Sequence, residues 1–431
     1  MQNMIDKDKI HEVMKYRNIK TQQELANLIG ITKNQVSVLL SPKANPFKSN
    51  YIKLCTALNI SPMELLCKDE PITVNEIVEG ESPKDKYVDI SEVKPRRTYH
   101  SVELFAGAGG LALGLEQAGF SEQALVEIDK YAAETLRKNR PGWNVLEKDI
   151  IQVAEEGIKN YLPEDIEIDF VSGGYPCQSF SYAGHKLGLE DVRGTMFYYF
   201  AQIVGELNPK VFLAENVKGL ASHDQGQTLQ TMIDIYEDLG YTTVTEVVKA
   251  LDYNVAQKRE RVIIVGIRND IDISYRLPLP YEYKPVLRDV LKNVPKSLGE
   301  KYPEKKKKVL ELVPPGGYWR DLPEDIAKEY MGKSYYSGGG RTGMARRISW
   351  DEPCLTLTCS PAQKQTERCH PEETRPFTVR EYARIQSFPD DWEFVGSMGQ
   401  QYKQIGNAVP VEMAKAIGLS IIDILNKSEE N

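Results

Sequence analysis

Cysteine is scarce: Cys55, Cys67, Cys177, Cys354, Cys359 and Cys369 are the only six in a chain of 431 residues, and no two form a CxxC pair. Thiols so few and so scattered exclude the disulfide framework that staples small secreted domains. Cys354, Cys359, Cys369 and His370 fit no common zinc spacing, so no metal site is expected. Long apolar runs are missing too. No stretch approaches the ~20 residues that span a bilayer. The N-terminal MQNMIDKDKIHEVMKYRNIK has no apolar core of the signal-peptide kind. The expectation is a cytoplasmic protein with no membrane partner. An overall positive charge is also absent. The formal net charge is −8, which taken alone argues against a nucleic-acid partner.

The distribution of that charge argues the other way. Residues 1–68 carry ten Lys/Arg against five Asp/Glu, and residues 275–380 carry twenty against fourteen. The intervening 98–274 carries fifteen against twenty-seven. Two basic segments thus flank an acidic one, and local fields govern phosphate binding more than the total does.

Within the first basic segment, TQQELANLIGITKNQVSVLL (21–40) holds two capping boxes, Thr21 with Glu24 and Thr32 with Gln35. Gly30 separates the two helices they open. Leu25, Ala26 and Ile29 share one face of the first; Val36, Leu39 and Leu40 share one face of the second. The stretch resembles the helix-turn-helix of phage repressors, which lays its second helix in the major groove. Lys33, Asn34, Gln35 and Ser37 would then read DNA. A small helical bundle that binds protein has the same pattern, but the charge and the exposed amides favour DNA. Residues 69–97 are acidic, interrupted by Pro71, Pro83 and Pro95, and read as a linker.

From Ser101 short apolar runs alternate with helical stretches: SVELFAG, QALVEID, IDFVSGG, KVFLAEN, TTVTEVVKA and RVIIVGI. The alternation predicts a doubly wound α/β sheet over 98–274. Residues 275–375 lose it, with eleven prolines and the runs PPGG and SGGG. They read as a separate loop-rich segment, in which the four lysines 305–308 form a solvated loop. Helical periodicity returns in 376–431.

The stretch ELFAGAGGLALGLEQAG (103–119) reads as strand, glycine-rich turn and helix. It has neither the GxGxxG order of a dinucleotide site nor the GK[ST] of a P-loop, so it does not indicate bound phosphates. Its Phe105, Ala106, Gly107, Gly109 and Gly110 would bring a ligand close to the backbone. Glu127, followed by Ile128, ends the second strand, where an acid can accept ribose hydroxyls. Asp149, followed by Ile150, ends the third and could receive an adenine amino group. Three strand ends aimed at one crevice point to a nucleoside cofactor without a phosphate tail. GGYPCQSFS (173–181) puts Cys177 directly after Pro176 at a strand end, either as a buried thiol or as a nucleophile.

FAGAGG, GGYPCQSFS, ENV (215–217), QKRER (257–261), REYARIQSFP and QIGNAVP occur in this order. Together they resemble the motif series of the bacterial DNA (cytosine-5) methyltransferases. The resemblance implies a Rossmann-like fold dependent on S-adenosyl-L-methionine, formed by 98–274 and completed by 376–431. It implies a target recognition domain at 275–375, with the helix-turn-helix domain added in front. It makes Cys177 the nucleophile toward carbon 6 of cytosine, with Glu215 at ring nitrogen 3, Arg261 at the carbonyl oxygen and Arg259 in support. Gly174, Pro176, Asn407 and Val409 join the cofactor set. The loop 178–194, with Gln178 and Arg193 toward DNA, would close over a flipped base. In 360–377, Gln363, Lys364, Gln365, Thr366 and Arg368 would supply base contacts or their scaffold.

The implied partners are double-stranded DNA at a target site and at the protein's own promoter. A restriction endonuclease would act on the same site without contact. Catalysis would be monomeric, with dimerisation through the N-terminal domain on operator DNA. Two alternatives stand beside this: a tRNA-directed relative, and a repressor with an inactive methylase half. The basic 275–375 segment argues against the first, and the intact Cys177, Glu215 and Arg261 against the second.

Overall fold

The computed structural model describes residues 10, 14–15, 19, 21–29, 33, 36, 86–176, 195–336 and 341–430. The chain forms two compact units, 1–81 and 82–431. In the first, helix α1 (Gln22–Ile29) is opened by Thr21, whose hydroxyl accepts the Glu24 N–H at 3.1 Å. Leu25 and Ala26 are buried, as are Ile10, Met14 and Val36. Lys33 is exposed and helical; Asn34, Gln35 and Ser37 lie outside the described residues.

The second unit is built on a seven-stranded sheet. Its strands are β1 (Tyr99–Leu104), β2 (Phe120–Glu127), β3 (Val145–Glu147), β4 (Phe170–Gly173), β5 (Val211–Val217), β6 (Tyr241–Lys249) and β7 (Glu260–Arg268). The order across the sheet is β3-β2-β1-β4-β5-β7-β6. All neighbours are parallel except β7, which runs antiparallel to both β5 and β6. This departs from a purely parallel sheet. A two-sided apolar run such as RVIIVGI is buried on both faces in either direction, so its pattern does not encode its sense.

Helices α2 (Gly110–Ala118), α3 (Lys130–Asn139), α4 (Ile150–Glu156), α5 (Met196–Leu207) and α6 (Gln227–Asp238) connect the strands. Strand order reverses between β1 and β4, the switch point outside which α/β sheets bind ligands. Near the C-terminal end of the chain come α9 (Val379–Ile385), α10 (Met398–Asn407) and α11 (Val411–Ser428). The long helix α11 buries Met413, Ile417, Ile421 and Leu425 in one core with Leu111 and Leu115 of α2.

The expected linker extends less far than its composition suggests. Tyr87–Val88 pairs in parallel with Leu277–Pro278, and Val88 and Ile90 join the core. Arg97 donates to both oxygens of the buried Asp169, at 2.9 and 2.5 Å. This end of the segment is a strap packed on the core, because the alternate residues Val88 and Ile90 are apolar enough to bury.

The 275–375 segment is loop-rich, as expected, yet the four lysines are not in a loop. They lie on helix α7 (Glu304–Glu311), and Lys306 reaches inward to the Ala362 carbonyl at 2.6 Å. Together with α8 (Glu324–Met331), α7 encloses a small core of Leu310, Trp319, Leu322, Ala327 and Met331. The loops are held by the buried Arg347, which donates to the carbonyls of Val313, His370 and Leu310. One guanidinium thus ties the end of α7 to carbonyls of two loops.

Candidate active site

A crevice opens where neighbouring strands of the sheet end near the same level, Leu104 of β1 lying beside Val126 of β2 and Gly173 of β4. After β1 the chain turns sharply at Phe105, with φ 59°. For a bulky residue this left-handed conformation costs about 1–3 kcal/mol and is typical of a ligand clamp. The turn throws the Gly107 N–H onto Glu127 Oε2 at 2.7 Å; Asp129 N donates to Oε1 at 2.6 Å. Glu127 is thereby fixed with lone pairs still open. Burial pushes its carboxyl above the usual range, opposed by those two N–H groups. Ile128 next to it is 65% exposed, an apolar side chain left uncovered at the crevice. Asp149 caps α4 through Ile151 N at 2.9 Å, and Ile150 is buried beneath it.

The far wall comes from α10 and the loop after it. Lys403 pairs with Asp129 at 2.7 Å, and Asp129 also caps α3. Asn407 is exposed at the end of α10, and Ala408 and Val409 turn back toward the glycine-rich loop. A Cβ on Gly110 would lie 2.2 Å from the Val409 carbonyl oxygen, so only glycine admits this approach. Of the residues read from the sequence as the cofactor set, Phe105, Ala106, Gly107, Gly109, Gly110, Glu127, Ile128, Asp149, Asn407 and Val409 lie on these turns and element ends, Ile150 is buried, and Gly174 and Pro176 follow β4. The crevice suits a nucleoside with a zwitterionic tail better than a nucleotide, since the basic side chain on its wall, Lys403, is already paired with Asp129.

Glu215, the acid expected from the sequence, stands on the strand next to β4. Glu215 and Arg261 pair at 2.8 Å, both side chains only 13% exposed, on adjacent antiparallel strands β5 and β7. Burial raises the Glu215 pKa, against the pull of Arg261 and Arg259. A Cβ on Gly174 would sit 2.8 Å from Glu215 Oε2. Asn216 donates to the Tyr175 carbonyl at 2.9 Å, and Tyr175 stacks edge-on to Phe105 at 6.4 Å. The chain leading into Cys177 is thus tied to Glu215 on one side and to the cofactor turn on the other. Pro176 is exposed; Cys177, Gln178 and Arg193 lie outside the described residues.

Arg259 differs from Arg261. It is 2% exposed, and its guanidinium is occupied by the carbonyls of Leu357, Gly406 and Asn407 at 3.3–3.4 Å. It braces the site and leaves Arg261 as the arginine beside the acid. In the recognition segment Gln363, Lys364 and Gln365 are exposed on a short 3₁₀ turn that includes the half-buried Thr366. Arg368, expected among the DNA-contacting residues, takes the other role open to this stretch. It is 5% exposed and donates inward to the carbonyls of Glu367 and Thr356, so it is scaffold and does not face a base edge. Two polar residues of the crevice escaped the sequence reading, Asp129 and Lys403. Asp129 was within reach as an N-cap ahead of a helical run; Lys403 becomes visible only through the fold. Among the described residues no cluster of His, Cys, Asp and Glu could hold a metal, and no helix is long and apolar enough to cross a membrane.

Comparison with known proteins agrees with this geometry. Residues 99–423 match the C-5 cytosine-specific DNA methylase family, and residues 9–67 match the Cro/C1-type helix-turn-helix DNA-binding domain. The chain is 55% identical to the Type II methyltransferase M.Sau96I of Staphylococcus aureus, over 98% of this chain and 99% of that one. It is 58% identical to the Type II methyltransferase M.Eco47II of Escherichia coli, over 80% and 83%. Among solved structures, a DNA modification methyltransferase encoded within an E. coli prophage superposes with a TM-score of 0.56 at 25% identity, covering 76% of this chain and all (100%) of that one. Spodoptera frugiperda DNMT2 aligns with a TM-score of 0.54 at 19% identity over 78% of this chain and 100% of that one, a likeness of fold alone. The chain therefore belongs to the C-5 cytosine-specific DNA methylases, enzymes that take their methyl group from S-adenosylmethionine, and carries a Cro/C1-type DNA-binding domain in front.

Proposed function

We propose that the enzyme methylates one cytosine of a specific duplex sequence through a covalent adduct at Cys177. The observation that carries this is the Glu215–Arg261 pair at 2.8 Å, set against the glycine that leads into Cys177. Carbon 5 of cytosine is a weak nucleophile. The Cys177 thiolate adds to carbon 6, and the ring takes up the electron pair. Glu215, whose carboxyl burial pushes above its usual range against the pull of Arg261 and Arg259, gives a proton to ring nitrogen 3. Arg261 has further N–H donors for the carbonyl oxygen, where negative charge also builds. S-adenosylmethionine, when bound, supplies an electrophilic methyl group, which Glu127 and Asn407 would hold in place by its ribose and methionine portions. Carbon 5, once it carries the methyl group, loses its proton to a base, the thiolate is expelled, and ring nitrogen 3 returns its proton to Glu215, restoring the neutral aromatic ring. Both target carbons are shielded in a stacked duplex, so the base must leave the helix, with 178–194 closing over it. A duplex with 5-fluorocytosine at the target tests the sequence of steps, because fluorine cannot depart as a cation. The expected product is a stable protein–DNA adduct whose peptide map ends on Cys177; an adduct on another cysteine sinks the scheme.

The N-terminal unit acts as a separate operator-binding module, dimeric on DNA, that represses the enzyme's own promoter. A partner endonuclease cuts the same unmethylated site, and the methylase works as a monomer. Support comes from the division of the chain at 81/82 and from the exposed Lys33. Deletion of residues 1–81 is expected to abolish promoter binding in a gel-shift assay and to leave target methylation within about two-fold, because few contacts need cross the linker. The cut belongs there and not at residue 90, since Val88 and Ile90 are part of the catalytic core. Promoter binding that survives the deletion would assign the operator reader to 275–375.

A further inference from the structure

Asn407 meets a neighbour that the reaction scheme leaves out. Cys359 directs its thiol at Asn407 Oδ1, with Sγ and oxygen 2.8 Å apart. Both side chains are exposed, as groups bordering an open crevice are. The contact joins distant parts of the chain: Cys359 lies in the 275–375 segment, Asn407 at the end of α10.

Two further contacts fix the approach. Arg259 draws the Leu357 carbonyl toward those of Gly406 and Asn407. A Cβ on Gly406 would lie 2.5 Å from the Thr358 carbonyl and 2.7 Å from the Cys359 nitrogen. Backbone therefore lies directly on backbone here, and the thiol can reach only what stands beside Gly406. Upstream, Leu357 N donates to Gln257 Oε1 at 2.9 Å and Thr356 Oγ1 to the Lys258 carbonyl at 2.6 Å. Residues 354–359 are thus laid along the strand end that carries Arg259 and Arg261.

An asparagine amide has two faces of opposite character, two N–H donors and a carbonyl acceptor, and a free amide turns either way. A thiol is a donor toward oxygen. Bonded to Oδ1, it selects the orientation in which Asn407 Nδ2 is left to donate.

We propose that Cys359 is a positioning residue for S-adenosylmethionine binding: its thiol holds Asn407 in the orientation that offers its N–H donors to the cofactor. This rests on the reading of Asn407 as a cofactor contact. It also means that the segment preceding the exposed Gln363, Lys364 and Gln365 shares a hydrogen bond with the cofactor wall.

The test uses the full-length enzyme with its target duplex. Cys359→Ala, Cys359→Ser, Asn407→Ala and the double alanine variant are compared by S-adenosylmethionine KM, kcat and calorimetric affinity. Cys359→Ala should raise KM for S-adenosylmethionine roughly 2- to 10-fold, the range of one modest hydrogen bond. Neither kcat nor KM for DNA should change by as much. Cys359→Ser, whose hydroxyl also donates, should recover most of the affinity. In the Asn407→Ala background, Cys359→Ala should add nothing, because the thiol acts only through that amide. Unchanged affinity in Asn407→Ala removes the cofactor role of Asn407, and the proposal with it. Weakened binding in Asn407→Ala with none in Cys359→Ala, equal losses for Ser and Ala, or additive losses in the double variant, overturn the role of Cys359 alone.

Discussion

Cys177→Ser is expected to abolish measurable methyl transfer while S-adenosylmethionine affinity and duplex binding stay within a few-fold of the parent. A hydroxyl at neutral pH has almost no anionic fraction, whereas a thiol near pKa 8.5 has a usable one and is intrinsically far more nucleophilic. Nothing in the described cofactor crevice depends on the sulfur, since its acids are fixed by backbone N–H groups from the turns after β1 and β2. Single-turnover incorporation of labelled methyl groups, with a gel shift on the same samples, measures both quantities. Turnover near that of the parent would eliminate attack by Cys177.

Glu215→Gln should lower kcat by on the order of 10²- to 10⁴-fold, the usual contribution of a placed general acid. An amide can still bond ring nitrogen 3 but cannot give it a proton. The pH profile separates this from a packing defect. Burial raises the Glu215 pKa, so the protonated form persists to higher pH than for an ordinary glutamate, and activity falls as pH rises through that raised value. The alkaline limb assigned to Glu215 should therefore be missing from the residual activity of the Gln variant. A limb that persists unchanged would assign it to another group. The substitution also releases Arg261 from its carboxylate partner. Arg261→Ala measured alongside, and in combination, reports how far the two act as a unit, because residues in one network give non-additive effects.

Much of the site was legible before any coordinates. Short apolar runs ending in Glu127 and Gly173 mark strand ends, where ligands of α/β sheets gather, whereas Asp149 lies past β3 as the cap of α4 and Glu215 lies within β5. Ordered motifs supply the rest of the catalytic set, because a nucleophile, an acid and an arginine need specific chemical types that few other residues replace. Thr21 and Glu24 likewise announce a helix start through local hydrogen bonding alone, and the Thr21 hydroxyl does cap that helix.

Other features depend on partners far away in the chain, and no local pattern encodes them. The antiparallel sense of β7 is one, since a strand buried on both faces reads the same in either direction. The inward turn of Arg368 is another: an arginine in a basic, polar stretch looks like a DNA contact until its neighbours' carbonyls are found to need it. Val88 and Ile90 look like linker until the sheet beneath them is known. Cys359 and Asn407, 48 positions apart, meet only because Gly406 lets one backbone lie on another. Sequence determined which chemistry the chain could perform, through residue type and short-range spacing. Tertiary structure decided which of those residues face the substrate and which hold the others in place, because burial and close approach are set by the whole fold.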